Sequence, residues 1–196
     1  MKVIGVTGPI GSGKSTVSRI LSEAGAFIID ADKIAKEVVC KGKKAYQELI
    51  DYFGRGILNP EEELDRKKLA AIVFGDNEKL QAINGIVHKY VVEEIIEQID
   101  KLMTDKSNDL VVLDVPIPVK HGFIDIADEI WVVTADKETR ISRIMKRNGF
   151  DREEALRRIN AQMSEEEYLK LADHVILNNG SEKQLGEKIR DLLKRI

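Results

Sequence analysis

The chain has 196 residues, 43% of them hydrophobic and 33% charged, with a net charge of −3. That length suits one globular domain with inserted subdomains, the charge balance gives no bulk attraction to nucleic acid, and aromatics at 5% leave a base-stacking surface unsupported. Cys40 is the single cysteine, which rules out an internal disulfide and fits a reducing, cytoplasmic setting, and the sequence shows neither a signal-peptide pattern nor an apolar run of membrane-spanning length.

The first predicted element is a strand over residues 3–7. It runs straight into Gly8-Pro9-Ile10-Gly11-Ser12-Gly13-Lys14-Ser15-Thr16. Glycine, four residues, then Gly-Lys-Ser is the phosphate-binding loop pattern, which carries weight only between a strand and a helix. The helix follows: Val17, Ile20 and Leu21 are spaced for one over residues 14–24, with Gly25 as its stop signal. Each residue type has a mechanical task. Gly8, Gly11 and Gly13 let backbone N–H groups approach phosphate oxygens with no Cβ in the way. Lys14 reaches the β- and γ-phosphates as a point charge. The Ser15 hydroxyl is placed to ligate Mg²⁺, and the helix points its positive end at the same phosphates. The loop predicts nucleoside triphosphate binding. It does not choose a reaction.

A second short strand is predicted over residues 26–30, then helices over 32–39, 43–53, 65–74 and 77–103. The last is amphipathic, with Leu80, Ile83, Ile86, Val87, Val91, Ile95 and Ile99 at helical spacing. Residues 110–115, 129–134 and 174–177 read as buried strands, and 182–195 as a final helix. Short apolar strands alternating with helices predict an α/β fold, a three-layer parallel sheet with helices on both faces. The core takes residues 1–31, 109–135 and 173–196. The nearly all-helical stretch 32–108 is too long for a plain crossover and reads as a second-substrate insertion. Residues 136–172 form a second helical excursion, read as a lid.

Several side chains are candidates for chemistry. Asp30 and Asp32 stand at a strand's carboxyl end, where open parallel sheets bind ligands. A carboxylate there accepts a proton from an attacking hydroxyl, helps hold Mg²⁺, or simply caps the next helix. Asp114 ends the third strand and has two readings, Mg²⁺ ligation or a turn before Pro116. The stretch 136–162 holds eight basic and five acidic side chains inside an acidic chain. Within it Arg140, Arg143 and Arg147 fall on one helix face. Arginines presented over a triphosphate neutralise charge developing on a transferred phosphoryl group; the alternative is a solvated face paired to Glu and Asp. Asp151 with Glu154, and Ser164 with Glu167, look like helix starts. No His/Cys cluster has metal-ligand spacing. Asn178-Asn179-Gly180-Ser181 reads as an adenine contact or a turn.

Together these residues resemble the dephospho-coenzyme A kinase family, nearly end to end. The resemblance runs through IGVTGPIGSGKSTV, IIDADKIAKEVV, LDRKKLAAIVFGD, IVHKYV, LDVPIPV, TRISRIMKRNGFDREEALRRINAQ and ADHVILNNGS. The DADxIA element and the lid ending RINAQ are more specific than the loop. The resemblance implies a P-loop kinase core with a helical CoA-side region and a lid. It implies transfer of the γ-phosphoryl group of ATP, with Mg²⁺, to the ribose 3′-hydroxyl of dephospho-CoA, the last step of CoA synthesis. It implies that Gly11 to Thr16 hold the ATP phosphates, that Asp32 serves as base or orienting group, that Arg140 and Arg147 are the lid arginines near the phosphates, and that Asn179 lies near the adenine. The partner is then a small molecule and not nucleic acid or membrane, and the protein a monomer or weak homo-oligomer. There are departures. Gly8-Pro9 replaces the family's Gly-Gly, His88-Lys89 replaces His-Pro, and Pro116-Ile117-Pro118-Val119-Lys120 replaces Pro-Leu-Leu-Phe-Glu. The last exchanges an acid for a base beside the implied acceptor site. Two rivals stand: a related small-molecule or nucleoside monophosphate kinase, and a non-catalytic nucleotide-binding relative.

Overall fold

The structure is a computed structural model that describes residues 1–105, 108–116 and 123–195. Lys120 and the residues 117–119 before it therefore lie outside the described residues. The chain divides into two compact units, Met1–Asp30 with Leu102–Ile196, and Ala31–Lys101.

The first unit is built on a five-stranded sheet. Its strands are β1 (Lys2–Thr7), β2 (Phe27–Asp30), β3 (Leu110–Asp114), β4 (Glu129–Thr134) and β5 (His174–Leu177), in the order β2-β3-β1-β4-β5. All four pairings are parallel. Parallel strands need crossovers and are covered on both faces, which is why β1, β3 and β4 are continuous apolar runs. One face carries Ile4, Val6, Val112, Trp131, Val133 and Ile176. It packs on Val17, Ile20 and Leu21 of helix α1 (Lys14–Glu23) and on Leu185 and Ile189 of α9 (Glu182–Leu193). On the other face Phe123 and Ala127 lie so close over Gly5 that a Cβ there would stand 2.7 Å from the Phe123 ring.

Between β4 and β5 run α6 (Lys137–Asn148), α7 (Arg152–Asn160) and α8 (Glu165–Leu169). Gly149 ends α6 in the left-handed conformation at φ 69°, which costs glycine least. The Asp151 side chain accepts from the Glu154 N–H at 2.7 Å to start α7, and Ser164 with Glu167 makes a reciprocal capping box at α8. Both starts are those read from the sequence.

The second unit holds α2 (Ala31–Glu37), α3 (Lys44–Phe53), α4 (Arg66–Val73) and most of α5 (Asn77–Asp105). Its core is Tyr46, Leu49, Ile57, Leu58 and Leu69, with Ile83, Ile86 and Val87 packed against them. Lys89, where the family has proline, bonds Glu48 at 3.0 Å, and the Tyr90 hydroxyl donates to the same carboxylate at 2.6 Å. That cluster ties α5 to α3 and holds the Glu48 carboxyl below its ordinary range, through Tyr90 first and then Lys89.

Candidate active site

The register of the sheet brings the carboxyl ends of the central strands to one edge. Thr7 ends β1, and Asp30 stands opposite Asp114 at the ends of β2 and β3. The loop from Gly8 to Gly13 leaves β1 at that edge and enters α1. This is where open parallel sheets take ligands.

Lys14 opens α1 and turns its ammonium onto the Asp114 carboxylate. The other Asp114 oxygen accepts from the Ser18 hydroxyl at 2.6 Å. Asp114 is 8% exposed and Ser18 6%. A buried carboxylate is tolerable because it has these partners. The Ser15 hydroxyl sits on the exposed first turn of α1. That turn carries no acidic side chain and no side-chain cap, whereas α7, α8 and α9 start on capping side chains followed by carboxylates. The positive end of α1 is thus left for an anion. The buried Thr7 Oγ1 and Ser12 Oγ have no hydrogen-bond partner, so two polar atoms at the loop are unsatisfied by protein.

Arg140 is 4% exposed and its Nε donates to the Ile10 carbonyl at 3.0 Å. Burial lowers its pKa, opposed by Glu165 and Tyr168. Arg143 donates to the Gly11 carbonyl at 3.3 Å, the Ser12 carbonyl at 3.1 Å and the Asn178 carbonyl at 2.9 Å. The Asn178 amide also donates to the Ser12 carbonyl, at 2.8 Å. Gln162, at the end of the RINAQ element, accepts from the Ile10 N–H at 2.8 Å.

Among the residues singled out from the sequence, Gly8, Gly11, Ser12, Gly13, Lys14, Ser15 and Thr16 form one loop and helix start, and Arg140 lies against it. Arg147 does not; it is exposed and its Nε donates to the Asn148 side chain at 2.9 Å. The Asn179 side chain is on the start of α6, accepting from the Asp136 N–H at 2.8 Å. Asp32 is exposed in the first turn of α2, inside the helix and not at its cap position. The site roles implied by the family resemblance go to Arg140, Arg147 and Asn179 and pass over Arg143 and Asn178. Their signals were present, an arginine on the same face as Arg140 and a neighbour of Asn179. The pairing of Lys14 with Asp114 has no local signal, since it spans 100 residues.

Comparison with known proteins decides the family. The dephospho-CoA kinase family model matches residues 2–184. The chain belongs to the dephospho-CoA kinase family. It is 49% identical to a dephospho-CoA kinase from Carboxydothermus hydrogenoformans, over 100% of this chain and 94% of that relative. Among solved structures it is similar to TT1252 from Thermus thermophilus, with a TM-score of 0.82 at 34% identity over 100% of this chain and 97% of that one. It is similar also to the dephospho-CoA kinase from Campylobacter jejuni, with a TM-score of 0.72 at 28% identity over 99% and 96% of the two chains. The P-loop kinase fold expected of the family is the fold observed. Among the described residues no helix is long and apolar enough to cross a membrane, and no group of three or more His, Cys, Asp or Glu is arranged to hold a metal.

Proposed function

We propose that this member of the dephospho-CoA kinase family transfers the γ-phosphoryl group of ATP to the ribose 3′-hydroxyl of dephospho-CoA, giving CoA and ADP. The observation that carries the reading is the family match across residues 2–184. The intact loop supports it. The acceptor oxygen attacks the γ-phosphorus, and the bond from that phosphorus to the β-bridging oxygen breaks. The electron pair leaves with ADP, and the hydroxyl proton passes to a carboxylate. Asp32, two residues past a strand end and exposed, is assigned that carboxylate. The Gly11–Thr16 backbone and Gly8 turn cradle the phosphates, and Lys14 exchanges Asp114 for phosphate oxygens when nucleotide enters. Mg²⁺, when bound, neutralises phosphate charge, and the Ser15 hydroxyl would hold it. Arg140, against the loop, is assigned to the phosphate side of the lid, residues 136–172; Arg147 is assigned there, and Asn179 to the adenine side, on the family resemblance, since Arg147 lies off the loop and the Asn179 side chain is on the start of α6. Residues 32–108 are assigned to the acceptor. The enzyme works in the cytoplasm as a monomer or weak homo-oligomer, a setting that the exposed free thiol of Cys40 suits.

The test is CoA formation from ATP, Mg²⁺ and dephospho-CoA. Asp32→Asn is expected to lower kcat by about 10²–10⁴-fold while ADP affinity, measured by calorimetry, stays put. Lys14→Ala is expected to lose both. CoA formation unchanged in a folded Asp32→Asn protein would remove Asp32 from the chemistry. Acceptor-independent ATP binding with no CoA formed would favour the non-catalytic reading.

A further inference from the structure

Three successive carbonyls of the phosphate loop are engaged by side chains from outside it. Ile10 O accepts from Arg140, Gly11 O from Arg143, and Ser12 O from both Arg143 and Asn178. Arg143 also reaches the Asn178 carbonyl, so the arginine, the asparagine and the loop form one closed cluster. All peptide bonds here are trans. In a planar trans peptide the carbonyl and the following N–H point in opposite directions. Drawing the Ile10 and Ser12 oxygens toward the arginines therefore turns the N–H groups of Gly11 and Gly13 the other way. The same cluster accounts for two of the glycines. A Cβ on Gly11 would stand 2.7 Å from the Arg140 carbonyl oxygen, and one on Gly13 would stand 2.2 Å from the Asn178 amide nitrogen.

We propose that Arg143 and Asn178 are positioning residues that hold the phosphate loop in its phosphate-accepting shape by binding its backbone carbonyls, and that they act before nucleotide arrives. The inference rests on the reading that this loop binds the ATP phosphates. It separates two jobs for arginines on one helix face. A guanidinium that touches phosphate works through charge, while Arg143 works through a fork of donors on neutral carbonyls. It also makes the turn after β5 part of nucleotide binding through the Asn178 side chain.

The experiment uses the full chain with Arg143→Met, Arg143→Lys and Asn178→Ala, and Lys14→Ala as the control on the loop. ADP and AMP binding are measured by calorimetry, and amide exchange of residues 8–16 is measured without nucleotide. Each of the three variants is expected to weaken ADP about tenfold, the scale of one lost charge-assisted hydrogen bond. AMP affinity and the KM for dephospho-CoA are expected to stay within about twofold, the ordinary size of a neutral surface change. Exchange in the empty loop is expected to rise in all three, including Arg143→Lys, which keeps the charge and loses the fork. ADP affinity unchanged in the Arg143 variants overturns the inference. So does weaker ADP binding with unchanged exchange in the empty loop, because that is the mark of direct phosphate contact. Should Asn178→Ala lower thermal stability sharply, the two Arg143 variants decide alone. Wild-type ADP binding that is insensitive to Lys14→Ala would instead overturn the reading of the loop, and the inference with it.

Discussion

The glycines of the phosphate loop answer to the protein behind them as well as to any ligand in front. Gly13 sits at φ 93°, a conformation that L side chains rarely adopt, and its missing Cβ faces the Asn178 amide at 2.2 Å. Gly13→Ala is therefore expected to cost about 1–3 kcal/mol from backbone strain and displaced Asn178, read by urea unfolding, and to weaken ADP binding alongside. An unchanged midpoint would show that Asn178 yields freely. Asp114 is the second residue whose role is legible only in three dimensions. It takes Lys14 on one oxygen and Ser18 on the other. Asp114→Asn leaves the Lys14 ammonium with a neutral partner in a half-buried site. A loss of about 1–3 kcal/mol follows from weakening a charge-assisted pair in a partly buried site, measured without nucleotide, and saturating Mg-ATP should recover part of it by supplying phosphate oxygens to Lys14. No recovery would mean that Lys14 does not reach the phosphates.

At the level of elements, β1 and β4 are pinned by more than their ladder. Ile4 stands opposite Glu129, and the Glu129 carboxylate takes the Lys2 ammonium at 2.6 Å and the Trp131 indole N–H at 3.2 Å, with the His174 ring 3.5 Å away. Lys2 above all, then Trp131 and the nearby charges, hold the Glu129 carboxyl below its ordinary range, against the opposing effect of burial. The sign follows from linkage. A depressed carboxylate contributes stability that is fully present above the unfolded value and is lost as pH falls through the folded one. Unfolding free energy followed from about pH 6 down to about pH 3 should fall less steeply in Glu129→Gln than in the parent chain. Equal slopes would mean that Glu129 has the same affinity for protons folded and unfolded. The helix α6 shows how an element divides its labour. Arg140 and Arg143 lie on the loop, while Arg147, one turn further on, donates to the Asn148 side chain. Spacing alone placed all three on one face, because a helical wheel does not say where the partner element ends.

For the whole molecule, the two compact units each carry a core of their own. Leu49 is fully buried in the second, and Leu49→Ala should cost about 2–5 kcal/mol. With the acceptor assigned to residues 32–108, that variant should raise the KM for dephospho-CoA and leave ADP affinity intact at temperatures where the protein stays folded. Matched losses of both would argue against separate sites. Much of this was open to the sequence by itself. The parallel α/β fold, the phosphate loop, the helix starts at Asp151 and Ser164 and the family resemblance follow from patterns a few residues long, where period, capping and backbone freedom act locally. Tertiary structure alone decided the rest. The Lys14–Asp114 pair joins residues 100 apart, and Asn178 reaches Ser12 across 166. Lys89, a departure on paper, is a strut to Glu48 from another helix. Such contacts depend on which strands become neighbours, and strand order in a parallel sheet is set by long crossovers that leave no local trace in the chain.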